Sequence, residues 1–413
     1  MRVLLSILSS PLARWKELEE ISSSLKLLVD GLYDHEVSAS SIDELRGAAE
    51  GFDAVLALAL TGGVEEMLIE LSRDGKPLMV IAHERMNSFP ASLEAISELR
   101  KRGLPAWIIE AWLPDARKRA ELILNGVKAA LNIPGIRIGL IGEPSPWLIY
   151  SRSSRDDLKR RLQAELIELD LEELYSELEK VKAPDQGLIK RIMEKASSPE
   201  VREEEVADSI KVYHALRKLV ERYGLNAFTI RCFDLIRDIR STACLALSLM
   251  NDEGIVAGCE GDLPALMAMI IGSMISGSPT FLGNLTWIRG NEVALAHCTA
   301  PLTLLEEFSL RTHFETNMSV GVSGRIGEGQ DVTLLRMSSS LDKLRAIGGR
   351  VIERASISFG CRTQVRVRVR REAAEKILED PIGNHHVLAL GDLIDGLKAF
   401  CDLKGIELEA YRL

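Results

Sequence analysis

The sequence lacks a long uninterrupted hydrophobic run. Its longest apolar stretch, residues 263–275, contains Pro264 and follows a charged residue, so it predicts a buried helix rather than a membrane span. The apolar run at residues 3–8 is too short for a membrane helix or a signal peptide, and it predicts a first buried strand. We therefore expect no membrane association.

Cysteine is sparse, and the spacing of the cysteines argues against the common metal and redox sites that use CxxC pairs. None of the six cysteines forms a CxxC pair. Without a secretion signal, such cysteines indicate reduced thiols, so we expect a cytoplasmic protein.

Basic residues are in the minority. The chain has 51 Lys+Arg against 61 Asp+Glu, a formal net charge of −10. A nucleic-acid-binding protein needs a basic face to displace counterions, so we expect no nucleic-acid partner. The alternating Arg and Val of residues 365–371 predict one solvated face of a strand at an edge or a subunit interface.

The sequence contains enough apolar residues to form large hydrophobic cores. Of its 413 residues, 46% are hydrophobic and 27% charged, which predicts two or three globular domains. Short apolar runs at residues 2–8, 52–60 and 76–83 alternate with amphipathic stretches, a pattern typical of parallel strands covered by helices on both faces. We expect an N-terminal α/β domain over residues 1–134.

A second α/β domain is predicted over residues 135–300. The helical pattern stops at residues 132–135, and a charged helical region follows over 153–222. Both α/β domains are expected to be doubly wound, flavodoxin-like or Rossmann-like layers. The remaining elements of this domain are predicted at residues 137–141 (strand), 227–232 (strand), 239–251 (helix), 254–259 (strand), 263–276 (helix) and 280–282 (strand).

Residues 301–413 show a different pattern. Two-residue alternation and glycine-rich turns predict an antiparallel, β-rich and barrel-like domain, and its last part returns to a strand and a helix.

Acidic residues follow two predicted strands of the central domain. Asp234 comes after residues 227–232, and Asp262 comes after residues 254–259. Carboxylates at adjacent strand ends converge, and a histidine from a later segment would complete an oxygen-rich set for Mn²⁺ or Mg²⁺. Each carboxylate has an alternative interpretation as a helix N-cap, and the two roles are compatible.

Four further residues are candidates for the pocket wall, each with a structural alternative. Glu260 could act near the metal or pair with a buried arginine. His297 follows an apolar run, which favours a core or pocket-wall histidine over a metal ligand. His313 and Glu315 would share a face of a strand, either lining the pocket or forming a surface pair.

Several motifs together resemble one enzyme family. They are CFDLI (232–236), CEGD (259–262), AHCT (296–299), THFE (312–315) and GNHH (383–386), preceded by GEPSPWL (142–148). In this order they are similar to the L-fucose/L-arabinose isomerase superfamily, and more narrowly to its shorter fucose-isomerase-like proteins. The resemblance covers most of the chain from about residue 137.

The resemblance implies an aldose–ketose isomerase that moves a proton between C1 and C2 of a sugar through a cis-enediol on Mn²⁺, with Mg²⁺ or Co²⁺ as alternatives. It implies that Asp234, where the characterised fucose isomerases have Glu, and Asp262 hold the metal and act in catalysis. The histidine ligand is implied to be His385 or His386. A homo-oligomer, trimeric or hexameric, is also implied.

Two alternatives remain at this stage. One is a non-catalytic sugar- or metal-binding homologue such as a sensor, which the shorter Asp234 favours. The other is an enzyme of the same fold that acts on a modified, for example sulfonated or phosphorylated, sugar.

Overall fold

The computed structural model describes residues 1–13, 15–355 and 357–413. They form two compact units, one of residues 1–131 with 398–403 and one of residues 132–397 with 404–413. Both contain a parallel α/β sheet, and the second also contains an antiparallel barrel-like sheet, which confirms the predicted fold class. Across the described ranges, no helix combines the length and apolar character that crossing a membrane requires.

The first unit is a five-stranded parallel sheet with helices on both faces. Successive strand residues enter opposite cores, Leu56 and Leu58 in one, Val55 and Ala57 in the other, which explains the continuous apolar runs. Its elements are β1 (Val3–Leu8), α1 (Trp15–Val29), β2 (His35–Ala39), α2 (Ile42–Leu45), β3 (Ala54–Ala59), α3 (Glu65–Leu71), β4 (Leu78–Ala82), α4 (Ser88–Lys101), β5 (Ala106–Glu110) and α5 (Ala116–Asn132). The strand order is β2-β1-β3-β4-β5.

The second unit begins with a four-stranded parallel sheet. Its elements are β6 (Arg137–Ile141), α6 (Arg155–Leu162), β7 (Glu165–Leu169), α7 (Leu171–Lys180), α8 (Gln186–Lys195), α9 (Glu203–Tyr223), β8 (Ala227–Ile230), α10 (Cys232–Ile239), α11 (Cys244–Asp252), β9 (Val256–Cys259) and α12 (Leu263–Ser276). The strand order is β7-β6-β8-β9, so β8 and β9 are neighbours. Their carboxyl ends therefore meet at one edge, as expected.

The antiparallel sheet closes into a six-stranded barrel. Its elements are β10 (Phe281–Arg289), β11 (Glu292–His297), β12 (Glu307–Arg311), β13 (Gly321–Arg325), β14 (Asp331–Met337), β15 (Lys343–Glu353), β16 (Thr363–Val369), α13 (Arg371–Glu379), β17 (His385–Leu390), α14 (Ile394–Lys404) and β18 (Glu407–Tyr411). The order β14-β17-β10-β11-β16-β15 closes because β15 also pairs with β14. Strand β18 extends β15 in parallel, and β12 and β13 form a separate pair.

Two parts of the second unit differ from the sequence prediction. The charged region 153–222 is interrupted by β7, an edge strand whose outward Glu165 and Glu168 make it resemble a helix surface. The predicted strand at 280–282 extends to residue 289 and belongs to the barrel rather than to the parallel sheet.

Candidate metal centre

Glu260 lies in a tight left-handed turn directly after β9. Its φ is +64° and that of Gly261 is +75°. The Glu260 carbonyl accepts a hydrogen bond from the Ser145 amide at 2.8 Å, and a Cβ at residue 261 would lie 2.6 Å from the Cα of Pro144. Only glycine fits at 261, and the left-handed conformation costs Glu260 about 1 kcal/mol. Strain of this kind is concentrated at functional sites, which makes Glu260 a candidate.

Glu260, His297 and His385 bring three metal-binding atoms together. All three side chains are buried, and the donor atoms lie within 4.8 Å of one another. Oε1 of Glu260 is 3.8 Å from Nε2 of His297 and 3.6 Å from Nε2 of His385. Within the described part of the chain, Nε2 of His385 has no hydrogen-bond partner. One carboxylate and two imidazoles with an unpartnered nitrogen fit a divalent transition metal.

Asp262 holds His385 from the other side of the ring. Nδ1 of His385 lies 2.9 Å from Oδ2 of Asp262, which leaves Nε2 facing Glu260. The Oδ1 atom of Asp262 accepts the amide of Ala265 at 2.8 Å, so Asp262 is also the N-cap of α12, as the capping alternative predicted. A carboxylate that orients a ligating imidazole in this way is typical of protein metal sites.

Arg336 completes the support of Asp262 and is fully buried. Its Nη1 donates to both oxygens of Asp262 at 3.1 and 3.0 Å, its Nε to the carbonyl of Ile382 at 2.8 Å, and its Nη2 to Ser151 at 2.5 Å. Gly383 has a φ of +109°, and any side chain there would collide with the guanidinium. The glycine of GNHH therefore makes room for Arg336.

The charges of the site influence one another strongly. Burial raises the pKa of Glu260, but the nearby imidazoles of His297 and His385 outweigh it and hold the pKa well below its usual range. Burial lowers the pKa of His385, yet Asp262 and Glu260 outweigh it and raise the pKa to about 9. For Asp262, Arg336 and His385 overcome burial and lower the pKa.

Aromatic side chains form a wall beside Glu260. The indole nitrogen of Trp147 donates to Oε2 of Glu260 at 2.6 Å, and its ring lies 4.9 Å from that of Phe233. The Phe233 ring is 5.5 Å from that of His313. Burial, and then the charges of His297 and Arg362, lower the pKa of His313 to about 4, which keeps this imidazole neutral at pH 7.

The structure brings some predicted site residues together and separates others. Asp262 and His385 lie at the centre with Glu260 and His297. Asp234 instead pairs with Arg231 at 2.9 Å and Arg237 at 3.5 Å, and no described contact joins it to the three donor atoms. It lies in the first turn of α10, whose N-cap is Arg231, so the capping alternative for Asp234 is wrong.

The two adjacent histidines have different surroundings. His386 is buried, its Nδ1 lies 3.0 Å from the carbonyl of Asn384, and burial lowers its pKa to about 4. It does not belong to the group of three donors, whereas His385 does.

The expected strand positions of His313 and Glu315 are wrong. Strand β12 ends at Arg311, and both residues lie in the turn that follows, with His313 buried and Glu315 exposed. The amides of His313 and Asn317 bond to the carbonyls of Met318 and His313, which closes this turn.

The family resemblance assigned a role to neither Glu260 nor Trp147, although the sequence made Glu260 a candidate near the metal. Glu260 directly follows the last residue of β9, and this strand-end position was the available signal for a central role. No pattern in the sequence linked Trp147 to Glu260, because the two residues are 113 positions apart.

The comparisons with known proteins point in one direction. No known family model matches the chain. Over 407 residues, the chain is 23% identical to the sulfoquinovose isomerases of Priestia aryabhattai and Priestia megaterium, a match that spans 90% of this chain and 90% of each relative. A sulfoquinovose isomerase of Clostridium sp. (strain MSTE9) is 26% identical over 216 residues, 49% of this chain and 48% of the relative. The chain is thus similar, over nearly all of its length, to isomerases of a sugar.

Proposed function

We propose that the protein is a metal-dependent aldose–ketose isomerase whose substrate is sulfoquinovose or a closely related anionic hexose. The observation that carries the metal dependence is the buried group of Glu260, His297 and His385 with its unpartnered Nε2. The names of the relatives support the reaction and the substrate.

The metal would be held by Glu260, His297 and His385. When bound, a divalent ion supplies positive charge that polarises the sugar carbonyl and makes the C2 proton more acidic. Two imidazoles suit Mn²⁺ or Co²⁺ better than Mg²⁺, which prefers oxygen ligands alone. We therefore propose Mn²⁺ as the first ion to test and Co²⁺ as the second.

Asp262 is proposed to orient His385 rather than to touch the sugar. Its side chain is fully buried, and its oxygens already bond to Arg336, His385 and the Ala265 amide. Such a carboxylate fixes which imidazole nitrogen faces the ion.

The group that moves the proton is proposed to come from the turn that contains His313 and Glu315. A general base must reach both C1 and C2 and titrate near the working pH. Partial desolvation by the surrounding protein, followed by the charge of Glu260, raises the pKa of Glu315, and the neutral His313 ring lies against Phe233 in the wall of the site. The catalytic role of Asp234 stays a prediction.

A second candidate function is a sugar- or metal-binding protein without isomerase activity. The observation that favours it is the pairing of Asp234 with Arg231 and Arg237, which leaves the donor group with one carboxylate instead of the two that the family resemblance implies.

Assays of conversion separate the two functions. Purified protein is stripped with a chelator, reloaded with Mn²⁺ or Co²⁺, and incubated with sulfoquinovose and, separately, with glucose, while ¹H NMR follows ketose formation. We expect ketose only with metal, and none from Glu260→Gln. Stoichiometric metal binding without conversion of either sugar would favour the binding protein.

We also propose a homo-oligomer built on a trimer, following the resemblance. Light scattering on the purified chain measures the mass directly. A monomeric mass near 45.6 kDa would refute this assembly.

A further inference from the structure

A cavity of about 390 Å³ in the second unit has an unusual charge composition. Arg311, Arg354 and Arg362 line it together with Asn317 and Gln364, and none of its described lining residues is acidic. Like charges repel when they are brought together, so three arginines around one concavity that has no acidic residue in its lining are typical of a site for an anion.

Two of these arginines have no acidic partner among the described residues. Arg362 donates from Nε to the carbonyl of Thr312 at 2.6 Å and from Nη2 to its hydroxyl at 3.1 Å, which fixes the guanidinium and leaves Nη1 available. Arg354 donates from Nη2 to Ser323 at 3.1 Å, with its Nε and Nη1 available. Only Arg311 is paired, with Glu200 at 2.8 Å.

The wall of the cavity is held in place by Gln364. Its amide nitrogen donates to the carbonyls of Ile357 and Cys361 at 3.1 and 2.9 Å, and its oxygen accepts the Ile357 amide at 2.8 Å. A fixed wall allows the arginines to bind an anion without a large ordering cost.

The cavity is connected to the surroundings of the candidate metal centre by the turn that carries His313, because Phe314 lines the cavity and Arg362 bonds to Thr312. The position that a Cβ would occupy on Gly321 lies within 3.6 Å of three atoms: Cβ of Cys298, Cγ of Arg362 and Cα of His313. Cys298 directly follows His297, so the segment that carries one of the metal-binding atoms shares a neighbour, Gly321, with an arginine of the cavity.

We propose that this cavity, lined by Arg311, Arg354 and Arg362, is the subsite for the tetrahedral anionic group of the sugar, a sulfonate or a phosphate. This inference rests on the proposed function and extends it to substrate selection. The available guanidinium donors would form charge-assisted hydrogen bonds with the anion, while the reacting carbons lie toward Glu260 and His297.

The test compares Arg354→Gln with Arg371→Gln. Both remove an exposed arginine charge, but Arg371 lies on α13, outside the lining of the cavity, and pairs with Glu375. In the metal-loaded enzyme, Arg354→Gln should raise KM for sulfoquinovose about tenfold, with kcat and the KM for glucose unchanged, because one charge-assisted contact is lost. Arg371→Gln should change neither constant. Equal KM values for sulfoquinovose in the two variants would overturn the proposal.

Calorimetry with inorganic sulfate tests the cavity without turnover. We expect sulfate to bind wild-type protein, to compete with sulfoquinovose, and to bind at least tenfold more weakly to Arg354→Gln. Sulfate that binds without competing would place a free anion in the cavity and overturn its role as a substrate subsite, and no detectable binding would overturn the anion site. If no sugar is converted but sulfate binding depends on Arg354, the proposed isomerase fails while the anion site stands.

Discussion

Nδ1 of His385 lies 2.9 Å from a carboxylate oxygen of Asp262, although 123 positions separate the two residues. This contact joins the first residue of β17 to the N-cap of α12 and turns Nε2 of His385 toward Glu260. The barrel and the parallel sheet of the second unit therefore build the candidate metal centre together.

Replacing Asp262 with Asn should weaken metal binding without abolishing it. The asparagine side chain carries no charge and orients His385 less firmly than the carboxylate, so we expect Mn²⁺ affinity to fall about 10- to 100-fold. The buried charge of Arg336 also loses its anionic partner, which should lower the free energy of unfolding by about 3 kcal/mol. Calorimetric titration of the folded variant and urea unfolding measure the two effects.

Asp331→Asn is the matched control, because Asp331 forms an exposed ion pair with Arg350. It should leave Mn²⁺ affinity unchanged and alter stability by less than about 1 kcal/mol. Equal Mn²⁺ affinities in Asp262→Asn and this control would refute the orienting role.

The adjacent histidines should respond differently to the same substitution. His385→Asn removes the Nε2 atom that faces Glu260, so we expect metal loss, measured by plasma mass spectrometry after dialysis. His386→Asn should retain the metal, because His386 is outside the donor group. Circular dichroism confirms that both variants are folded. If His386→Asn loses the metal and His385→Asn retains it, the ligand is His386 and our assignment to His385 is wrong.

The metal content of the Asp234→Asn variant distinguishes two expectations, one from the contacts of Asp234 in the structure and one from the family resemblance. The contacts of Asp234 with Arg231 and Arg237 predict a metal content equal to that of wild-type protein. The resemblance instead implies a carboxylate ligand, whose loss would release the ion. A metal-free but folded Asp234→Asn protein would show that Asp234 reaches the ion in the loaded state.

A second charge cluster should control acid stability. Arg345 is almost fully buried and pairs with Glu409 at 2.7 Å and Asp380 at 2.9 Å. Hydrogen bonding and charge from Lys343 lower the pKa of Asp380, and Arg345 and Lys343 overcome burial to lower that of Glu409. Because both folded-state pKa values are depressed, this stabilisation is present above the ordinary values of 3.8 and 4.5 and is lost as pH falls through the lowered pKa values.

Glu409→Gln measures this contribution. At pH 7 we expect the free energy of unfolding to drop by about 2 kcal/mol, since Arg345 keeps only one acidic partner. Urea unfolding should show the difference from wild-type protein shrinking as pH is lowered below 4.5. A difference that does not depend on pH would contradict the assignment.

The sequence predicts more of the fold than of the site. Strand β6 and helix α12 have the predicted bounds, because local apolar patterns and a Pro in the first helical turn define them. Strand β7 was missed, because the charged face of an edge strand resembles that of a surface helix.

The site depended on contacts that no local pattern contains. Asp262 and His385 were recognised through short motifs, but the barrel closure that brings His297 beside Glu260 is a long-range event. The role of Asp262 was likewise hidden, because its buried partner Arg336 lies on β14, 74 positions away. Neither the secondary-structure propensity of a segment nor its hydrophobic periodicity indicates which distant residues will contact it.

The most direct test of the account is a crystal structure of Mn²⁺-soaked protein with anomalous diffraction recorded at the manganese absorption edge. We predict one strong anomalous peak within coordination distance of Glu260 Oε1, His297 Nε2 and His385 Nε2, which vanishes in crystals of Glu260→Gln. A peak at another position in the chain, or no peak at saturating Mn²⁺, would contradict the metal centre on which the proposed isomerase depends.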